Sequence, residues 1–151
     1  MTTKKTVSEK TEKTAKEKPR KLVHVYGKRK TSVARATLYE GKGIIRINKQ
    51  LLDTYTPALG KMMIEEPLMI AGDVAKKIDI NINVFGGGWH SQAEASRICV
   101  ARALVEYTKS KDLRQQYINY DRNMLISDVR FAERSKPNDS KPRSKRQKSY
   151  R

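Results

Sequence analysis

The sequence predicts an α/β fold of the two-layer α+β type, in which a sheet is packed with helices. A period of two marks one strand, whose apolar positions are Ile78, Ile80, Ile82 and Val84. Three glycines end this strand, because glycine allows backbone conformations that interrupt regular pairing. A helical period then follows, with one face formed by Ile98, Ala101, Leu104, Val105 and Thr108. The rest of the chain is organised around this strand, glycine turn and helix.

The glycine turn consists of Gly86, Gly87 and Gly88. It lies just before the start of the helix, where N–H groups lack helical partners and the helix dipole is positive. Phosphate is a natural ligand for such a helix end. A tight connection in which glycine only allows the bend is the alternative. The strongly basic chain favours the phosphate interpretation.

The composition indicates one domain with an anionic partner. The chain has 151 residues, 37% of them hydrophobic, and a formal net charge of +17. Such a charge points to nucleic acid or to an acidic membrane. No apolar run approaches the roughly 20 residues that span a bilayer, and the N-terminus lacks an apolar signal core. The single cysteine, Cys99, rules out an internal disulfide and is expected to be a small structural thiol.

Most of the excess charge lies at the two ends of the chain. Residues 1–21 contain 8 basic and 3 acidic side chains, and residues 134–151 contain 8 basic and 1 acidic. The sequence therefore predicts a disordered basic N-terminal extension over 1–21, a globular α/β domain over 22–133 and an extended basic C-terminal tail over 134–151. A transit peptide is a rival interpretation of the first segment, but its glutamates argue against it.

Two further strands are predicted in the first half of the domain. Residues 33–39 alternate between small apolar and larger side chains, which indicates a strand. A turn at Gly41 and Gly43 follows, and residues 44–48 have the pattern of a second strand. Adjacent strands joined by a short glycine-containing turn predict a β-hairpin.

The helices are predicted from caps and prolines. Thr56 is the expected N-cap of a short helix that has Pro57 at its first position and continues to about residue 64. Pro67 is expected to start a separate helix that Gly72 ends. Asp112 is the expected cap of another helix over residues 113–120.

Two features near the end of the domain complete the prediction. Tyr117 and Tyr120 lie three positions apart on the last helix, where they either stack on bases or pack against the body; packing is favoured. Residues 124–131 alternate in polarity, which predicts a final strand that ends near Phe131.

A cluster of three cations, Lys28, Arg29 and Lys30, lies within the segment GKRKTS. A nucleotide-binding phosphate loop is excluded, because its first glycine is missing and a strand rather than a helix follows. We interpret the cluster as cations held at the entrance of a strand, where phosphate groups bind. A solvated charge cluster is the alternative.

Two other classes of function are less well supported. His90 and Glu94 have the i, i+4 spacing of a metal site, but a third ligand is not evident, so neither a catalytic residue nor a metal or cofactor is predicted. Attraction to a membrane surface would use the cationic ends, yet neither end has an amphipathic apolar face.

Several segments resemble one family closely. They are GKRKTSVARATLYEGKGIIRIN, EPLMIAG, GGGWHSQAEASRICVARALV, YDRNMLISDVRFAERSK and the terminal RQKSYR. In this order they resemble the universal small-subunit ribosomal protein nine family, and the terminal residues are similar to its archaeal and eukaryotic type. The resemblance covers roughly residues 22–151. Ser91 stands where the family commonly has glycine, and Val129 where it usually has proline.

The resemblance implies an α/β fold with a four-stranded sheet like that of the second domain of ribosomal protein five. It implies a non-enzymatic structural protein of the cytoplasmic ribosome, in the head of the small subunit. The implied partners are small-subunit ribosomal RNA, the tRNA in the peptidyl site, whose anticodon stem-loop the tail reaches, and neighbouring head proteins. Neither a membrane nor a second copy of the chain is expected as a partner.

The resemblance also implies which residues contact RNA. The expected ribosomal RNA contacts are Lys28, Arg29, Lys30, Arg35, Gly86, Gly87, Gly88, Gln92, Arg97, Arg122, Arg130, Arg134, Lys136, Lys141, Arg143, Lys145 and Arg146. The expected tRNA contacts are the last four residues, Lys148, Ser149, Tyr150 and Arg151.

Overall fold

A computed structural model describes residues 22–137 and 141–144. Within these ranges the chain forms five strands: β1 (Val23–Arg29), β2 (Ser32–Glu40), β3 (Ile45–Ile47), β4 (Gln50–Leu51) and β5 (Ile78–Phe85). The three α-helices are α1 (Ala58–Ala71), α2 (Trp89–Thr108) and α3 (Lys111–Tyr120). Short 3-10 turns occur at Leu52–Thr54, Gly72–Lys77 and Arg122–Met124. The predicted mixture of strands and helices is thus present as an α+β fold.

The strands form one mixed sheet in the order β1-β2-β5-β3-β4. Neighbouring strands are antiparallel except for β3 and β5, which are parallel. The strands predicted over residues 33–39, 44–48 and 78–85 correspond to β2, β3 and β5, whereas β1 is not among the predicted strands. Strand β4 adds a strand of two residues at one edge. The predicted four-stranded sheet is therefore corrected to five strands.

The core lies between one face of the sheet and α2. The predicted alternation is confirmed: Ile78, Ile80, Ile82 and Val84 on β5 are buried, as are the small residues Ala34 and Ala36 on β2. Helix α2 packs on β1, β2 and β5, and α1 packs along α2. Because α2 is enclosed by the sheet and by α1, it buries more than one stripe of its surface.

The predicted hairpin of residues 33–39 and 44–48 is wrong. Strand β5 pairs with β2 along its whole length, from Val33 opposite Phe85 to Glu40 opposite Ile78, so it separates β2 from β3. Eight-residue β5 offers β2 far more hydrogen bonds than three-residue β3 does. The Asp79 carboxylate also accepts from the N–H groups of Lys42 and Ile44, both at 2.8 Å, and so holds the intervening loop against β5.

The two helices predicted on either side of residue 65 are one continuous helix, α1. It begins after Pro57, which takes the N-cap position expected for Thr56, and it ends at Gly72 as predicted. Pro67 lies inside this helix and is fully buried. The ring removes one helical hydrogen bond, but burial of Pro67 and Ile64 in the core outweighs that loss and keeps the helix continuous.

Helix α3 is placed as predicted, but a different residue caps it. The Ser110 hydroxyl accepts from the Leu113 N–H at 3.3 Å, whereas Asp112 lies in the first turn. Tyr117 packs into the core as expected and donates its hydroxyl to the Pro67 carbonyl at 2.7 Å. Burial raises the pKa of Tyr117 well above its ordinary value. Tyr120, in contrast, is exposed.

The final strand predicted over residues 124–131 is wrong. A 3-10 turn ends at Met124, and no strand follows in the part of the chain that the structure describes. Only Met124 of this segment is fully buried, whereas Val129 and Phe131 are exposed. Side chains from the body bind this segment in place of a neighbouring strand, as shown below.

Two remaining predictions concern Cys99 and membranes. Cys99 is buried and donates its thiol to the Ala34 carbonyl at 3.3 Å, and burial raises its pKa to about 12. The prediction of a structural thiol is confirmed. Across residues 22–137 and 141–144, every helix is too short or too polar to cross a bilayer. The extension over residues 1–21 lies outside the described residues, and the predicted domain boundaries stay predictions.

Candidate nucleic-acid interface

The glycine turn, residues 86–88, has a backbone that requires glycine at its first two positions. Gly86 and Gly87 have φ values of +78° and +66°, in the left-handed region. A Cβ atom on Gly86 would lie 2.7 Å from the Thr31 carbonyl oxygen, and one on Gly87 would lie 2.2 Å from the Ser32 hydroxyl. The turn is therefore both conformationally special and tightly packed against the turn between β1 and β2.

Hydrogen bonds join these two turns. The buried Ser32 hydroxyl donates to the Gly86 carbonyl at 2.8 Å and lies 2.8 Å from the Ser91 hydroxyl. Gln92 donates to the same carbonyl at 3.1 Å. Residues that are more than fifty positions apart in sequence therefore form one rigid corner. We call it the basic corner: Lys28, Lys30, the glycine turn and Gln92.

The start of α2 opens onto the basic corner. Gly88 is its N-cap, and the Ser91 hydroxyl accepts from the Gly88 N–H at 3.2 Å. The N–H groups of the first helical turn have no carbonyl partners within the helix, and the dipole adds partial positive charge there. Lys28, Lys30 and all three glycines are exposed at this end. The arrangement presents lysines and backbone donors together, which suits phosphate.

Two of the predicted RNA contacts, Arg29 and Arg97, are held in partly buried ion pairs within the protein. Arg130 and Arg143 also pair with carboxylates, but their side chains stay largely exposed. Arg29 forms an ion pair with Glu94 at 2.6 Å and another with Asp128, and only 13% of its side chain is exposed. Its hydrogen bond to Glu94 raises the pKa of Arg29. Arg97 pairs with Glu66 at 2.6 Å and with Asp121 at 2.8 Å. Both arginines are thus already paired with carboxylates of the protein.

The other predicted contacts within the described ranges are exposed or half-buried at the surface. Lys28 lies 5.1 Å from the centroid of the Phe131 ring, and the Arg35 guanidinium lies 5.7 Å from that of Phe85. The exposed cations of the last turn and the tail are Arg122, Arg130, Arg134, Lys136, Lys141 and Arg143. Lys145, Arg146, Lys148, Ser149, Tyr150 and Arg151 lie outside the described residues.

The segment that leads into the tail is fixed to the body at residues 125–131, which we call the tail root. Arg102 on α2 donates twice to the Leu125 carbonyl, at 3.0 and 2.7 Å, and once to the Ser127 hydroxyl at 2.9 Å. The same guanidinium donates to the Tyr26 carbonyl on β1 at 2.8 Å. Arg102 therefore links the tail root to the sheet.

A second anchor of the tail root is Asp128, whose side chain is only 8% exposed. Its carboxylate accepts from the Arg130 side chain and backbone and pairs with Arg29. The hydrogen bonds from Arg130, followed by the charge of Arg29, hold the pKa of Asp128 well below its usual range. Asp128 is thus ionised at neutral pH and binds the tail root to β1.

His90 and Glu94, which have the spacing of a metal site, lie side by side on the first turns of α2. The His90 Nδ1 lies 3.8 Å from the Glu94 carboxylate, which already accepts from Arg29. Within residues 22–137 and 141–144, no three candidate ligands cluster as a metal ion requires. Glu94 is better described as an internal partner of Arg29.

A comparison with known families decides the class of protein. The family model of ribosomal protein S9/S16 matches residues 27–151. The chain belongs to this family. Small ribosomal subunit protein uS9 of Methanococcus maripaludis strain S2 is 48% identical to it over 133 residues, which cover 87% of this chain and 99% of the relative. The corresponding protein of Methanococcus vannielii is 45% identical over the same shares of the two chains.

Membership of the S9/S16 family identifies the chain as a structural ribosomal protein of the small subunit, which takes part in translation. RNA binding is characteristic of this family, and its members are not known as enzymes. The family resemblance seen in the sequence is confirmed.

Sequence reasoning about this S9/S16 member missed Arg102 and Asp128. Arg102 interrupts the apolar run between Ile98 and Val105 on α2. A charged residue among buried positions of a helix indicates a dedicated partner, because an unpaired buried charge is costly. That signal was available, but it does not say which segment supplies the partner.

Acid is expected to weaken the tail root, because the folded protein depresses the pKa of Asp128. A depressed carboxyl pKa stabilises the fold above the unfolded value of roughly 3.9 and loses that contribution as the pH falls below it. Asp128→Asn should therefore be less stable than wild type at pH 7, and the difference should shrink below about pH 4. Urea unfolding between pH 7 and pH 2 measures this difference.

The matched control is Asp112→Asn, which removes an exposed carboxylate that has no ion pair within the described residues. Its effect on unfolding should be small at every pH. A gap between wild type and Asp128→Asn that stayed constant down to pH 2 would show that the carboxylate charge does not stabilise the tail root.

Proposed function

We propose that this S9/S16 protein binds ribosomal RNA in the head of the small subunit through its basic corner, and that its tail reaches the tRNA in the peptidyl site. The observation that carries the first part is the contact between the glycine turn and the turn that joins β1 to β2, next to the start of α2. Two sources of positive potential converge there: the two lysine side chains, and the unpaired backbone N–H groups that form the positive end of the helix dipole.

The chemistry of RNA fits this corner. Ribosomal RNA presents irregular backbone, and proteins recognise it through its shape and its phosphates as well as its bases. The glycines expose backbone to such a ligand, because residues 86–88 have no side chains and are all exposed. We therefore place direct phosphate contacts at Lys28, Lys30, the glycine turn and Gln92.

Arg29 and Arg97 receive a different role in this proposal. Their guanidiniums are held by carboxylates, so pairing with RNA phosphate would leave those carboxylates unpaired and partly buried. We assign both arginines to fixing the surfaces on which RNA binds. Arg35, Arg122, Arg130, Arg134, Lys136, Lys141, Arg143, Lys145 and Arg146 remain proposed RNA contacts.

The proposed route of the tail begins beside the basic corner. Phe131, in the tail root, lies under the Lys28 ammonium group at 5.1 Å. A chain that leaves the body there continues the cationic surface with residues 134–151, whose net charge is +7 from 8 basic and 1 acidic side chains. We propose that Lys148, Ser149, Tyr150 and Arg151 contact the anticodon stem-loop of the tRNA in the peptidyl site.

The remaining parts of the proposal rest on family membership. The protein works as a single copy within the cytoplasmic ribosome and touches neighbouring proteins of the small-subunit head. The likeness of its fold to the second domain of ribosomal protein five also stays a prediction.

The basic corner is tested with Lys28→Gln/Lys30→Gln. Removing two cations that bind phosphate should lower affinity for a transcript of the head domain and reduce the slope of log affinity against log salt by about 0.7–0.9 for each cation. Filter binding between 50 and 300 mM salt measures both quantities. Co-sedimentation with small subunits on high-salt gradients tests whether the full chain assembles.

The matched control is Lys109→Gln/Lys111→Gln. These two exposed lysines lie at the other end of α2, which is roughly 30 Å long for its 20 residues. The control keeps the same net charge as the test variant, so a purely non-specific attraction predicts equal reductions in affinity. Equal reductions would therefore contradict the assignment of the basic corner.

Deletion of residues 148–151 tests the tRNA contact. Without the tip, tRNA at the peptidyl site should bind about 1–3 kcal/mol more weakly, the size of one or two charge-assisted hydrogen bonds. Assembly should be unaffected, because the deleted residues lack the apolar side chains of a core segment. Filter binding of tRNA to purified mutant subunits measures the change in affinity, with gradient profiles as the control. Unchanged tRNA affinity would contradict the assignment.

A further inference from the structure

The face of the sheet opposite the helices is open to solvent. Helix α2 covers only the core face of β1, β2 and β5, and no helix of the described ranges packs on the other face. On β1, β2, β3 and β5 the side chains that point to it are polar, basic or aromatic, apart from Val33 and the acidic Asp79. We call this surface the open sheet face and define it by Tyr26, Lys28, Arg35, Arg46, Asn83 and Phe85.

The strand register places these side chains in rows. Tyr26 on β1 lies opposite Arg35 on β2, which lies opposite Asn83 on β5. In the next row, Lys28 and Phe85 both lie opposite Val33. Residues directly opposite each other point to the same face with Cβ atoms roughly 5 Å apart. The rows therefore form a continuous surface and not a scatter of single residues.

Two aromatic rings on this face are unusually exposed. Tyr26 is 66% and Phe85 53% exposed, although large aromatic side chains normally contribute to a core. Their strands, β1 and β5, are separated by β2, so the two strands lie roughly 10 Å apart across the sheet. Cations accompany both rings, since Arg35 lies 5.7 Å from the Phe85 centroid and Arg102 lies 5.8 Å from that of Tyr26.

The charge of the face is positive. Lys28, Arg35 and Arg46 contribute cations, and Arg46 extends the surface to β3 opposite Asn81. The acidic side chain Asp79 lies on the same face, but its carboxylate accepts from two backbone N–H groups of the loop before β3. The surface thus combines flat apolar rings, cations and the amide of Asn83.

We propose that the open sheet face binds unpaired nucleotides of RNA, with bases stacked on Tyr26 and Phe85 and phosphates held by Lys28, Arg35 and Arg46. Stacking of bases on aromatic side chains beside cations is how proteins hold single strands, whereas paired bases are not available for stacking. The inference rests on the proposed RNA-binding function. It adds that the RNA is unpaired, and that it binds a second surface, which shares only Lys28 with the basic corner.

The test uses the full-length protein and two fluorescein-labelled probes: a 12-nucleotide oligouridylate and a 12-base-pair RNA duplex. Tyr26→Leu/Phe85→Leu removes both rings and leaves the charge unchanged. Its affinity for the oligouridylate should fall at least about fivefold for each base that no longer stacks, while affinity for the duplex changes less than about twofold. The salt dependence should remain that of wild type, because every cation is retained.

Tyr120→Leu is the matched control. It removes a ring that is 60% exposed but lies on α3, away from the sheet. The control should bind both probes like wild type. Circular dichroism melts of all variants confirm that they are folded, so weaker binding reports on the surface itself.

A complementary variant, Arg35→Gln/Arg46→Gln, should reduce the salt slope for the oligouridylate by about 0.7 for each cation that no longer binds phosphate. Wild-type affinity of the ring variant for oligouridylate would overturn the proposal, as would equal reductions in affinity for both probes. Such a result would indicate that a protein, and not unpaired RNA, binds the open sheet face. It would not touch the proposed function, which is tested separately by assembly into small subunits.

Discussion

Replacing Gly87 with valine should destabilise the protein by about 3 kcal/mol and also weaken its binding to RNA. Gly87 has a φ of +66°, which a β-branched residue adopts only with strain. Its new Cβ would lie 2.2 Å from the Ser32 hydroxyl and 2.6 Å from that of Ser91. These hydroxyls would have to separate, so the variant would be strained and would also lack the hydrogen bonds that join the two turns.

Neighbouring Gly88 provides the control. It has a φ of −100°, and a Cβ placed on it would have no heavy atom within 4 Å. Gly88→Ala should therefore cost at most about 1 kcal/mol, which is the preference for glycine over alanine at an N-cap. Urea unfolding of the two variants and of wild type compares them directly.

RNA binding by Gly87→Val is measured at a temperature where the variant is folded. The valine side chain would cover the start of α2, so affinity for a head-domain transcript should fall even when the protein is native. If Gly87→Val proved as stable as Gly88→Ala and bound RNA normally, neither backbone strain nor close approach would operate at this turn.

Local sequence patterns predict the central unit of the fold well. A period of two and a helical period depend only on which face is buried, so β5, α2 and the face of β2 could be predicted. The choice of strand partner does not follow from such patterns. The pattern of residues 33–39 predicts pairing with the next strand in sequence, but the longer β5 takes that edge of β2.

Predictions also fail where a side chain replaces regular backbone pairing. Residues 124–131 alternate like a strand, yet their hydrogen bonds go to Arg102 and Arg29. Pro67 is expected to divide α1, but its burial in the core offsets the missing hydrogen bond. Both outcomes depend on contacts between distant segments, and local propensity does not contain that information.

The candidate interface could be predicted only in part, because its residue types are visible in the sequence but their contacts depend on the fold. Glycine and lysine positions are visible in the sequence, so both turns of the basic corner could be identified. Their meeting could not, because it depends on Ser32, a buried polar residue that hydrogen-bonds to Gly86 and contacts Ser91. The internal use of Arg29 and Arg97 likewise depends on carboxylates that the fold brings near.

Replacing Arg102 with methionine should release the tail root and cost about 2–3 kcal/mol of stability. The variant would lack four hydrogen bonds that one guanidinium donates to Leu125, Ser127 and Tyr26. The Leu125 carbonyl would then have no partner in a partly buried site. Methionine has a high helix propensity, so α2 itself should remain intact. Hydrogen exchange of residues 125–128 should accelerate more than that of the sheet.

Arg114→Met is the matched control. Arg114 is exposed and lines the same surface pocket as Arg102 and Leu125, and its guanidinium has no hydrogen bond or ion pair within the described residues. It should leave the unfolding free energy and the exchange of the tail root unchanged. Arg102→Lys keeps the charge but not the planar fork that reaches several acceptors at once, so it should recover only a minor part of the stability. If Arg102→Lys restored the wild-type hydrogen exchange of residues 125–128, positive charge alone would hold the tail root. If Arg102→Met left this exchange unchanged, Asp128 and Arg29 would hold the tail root instead.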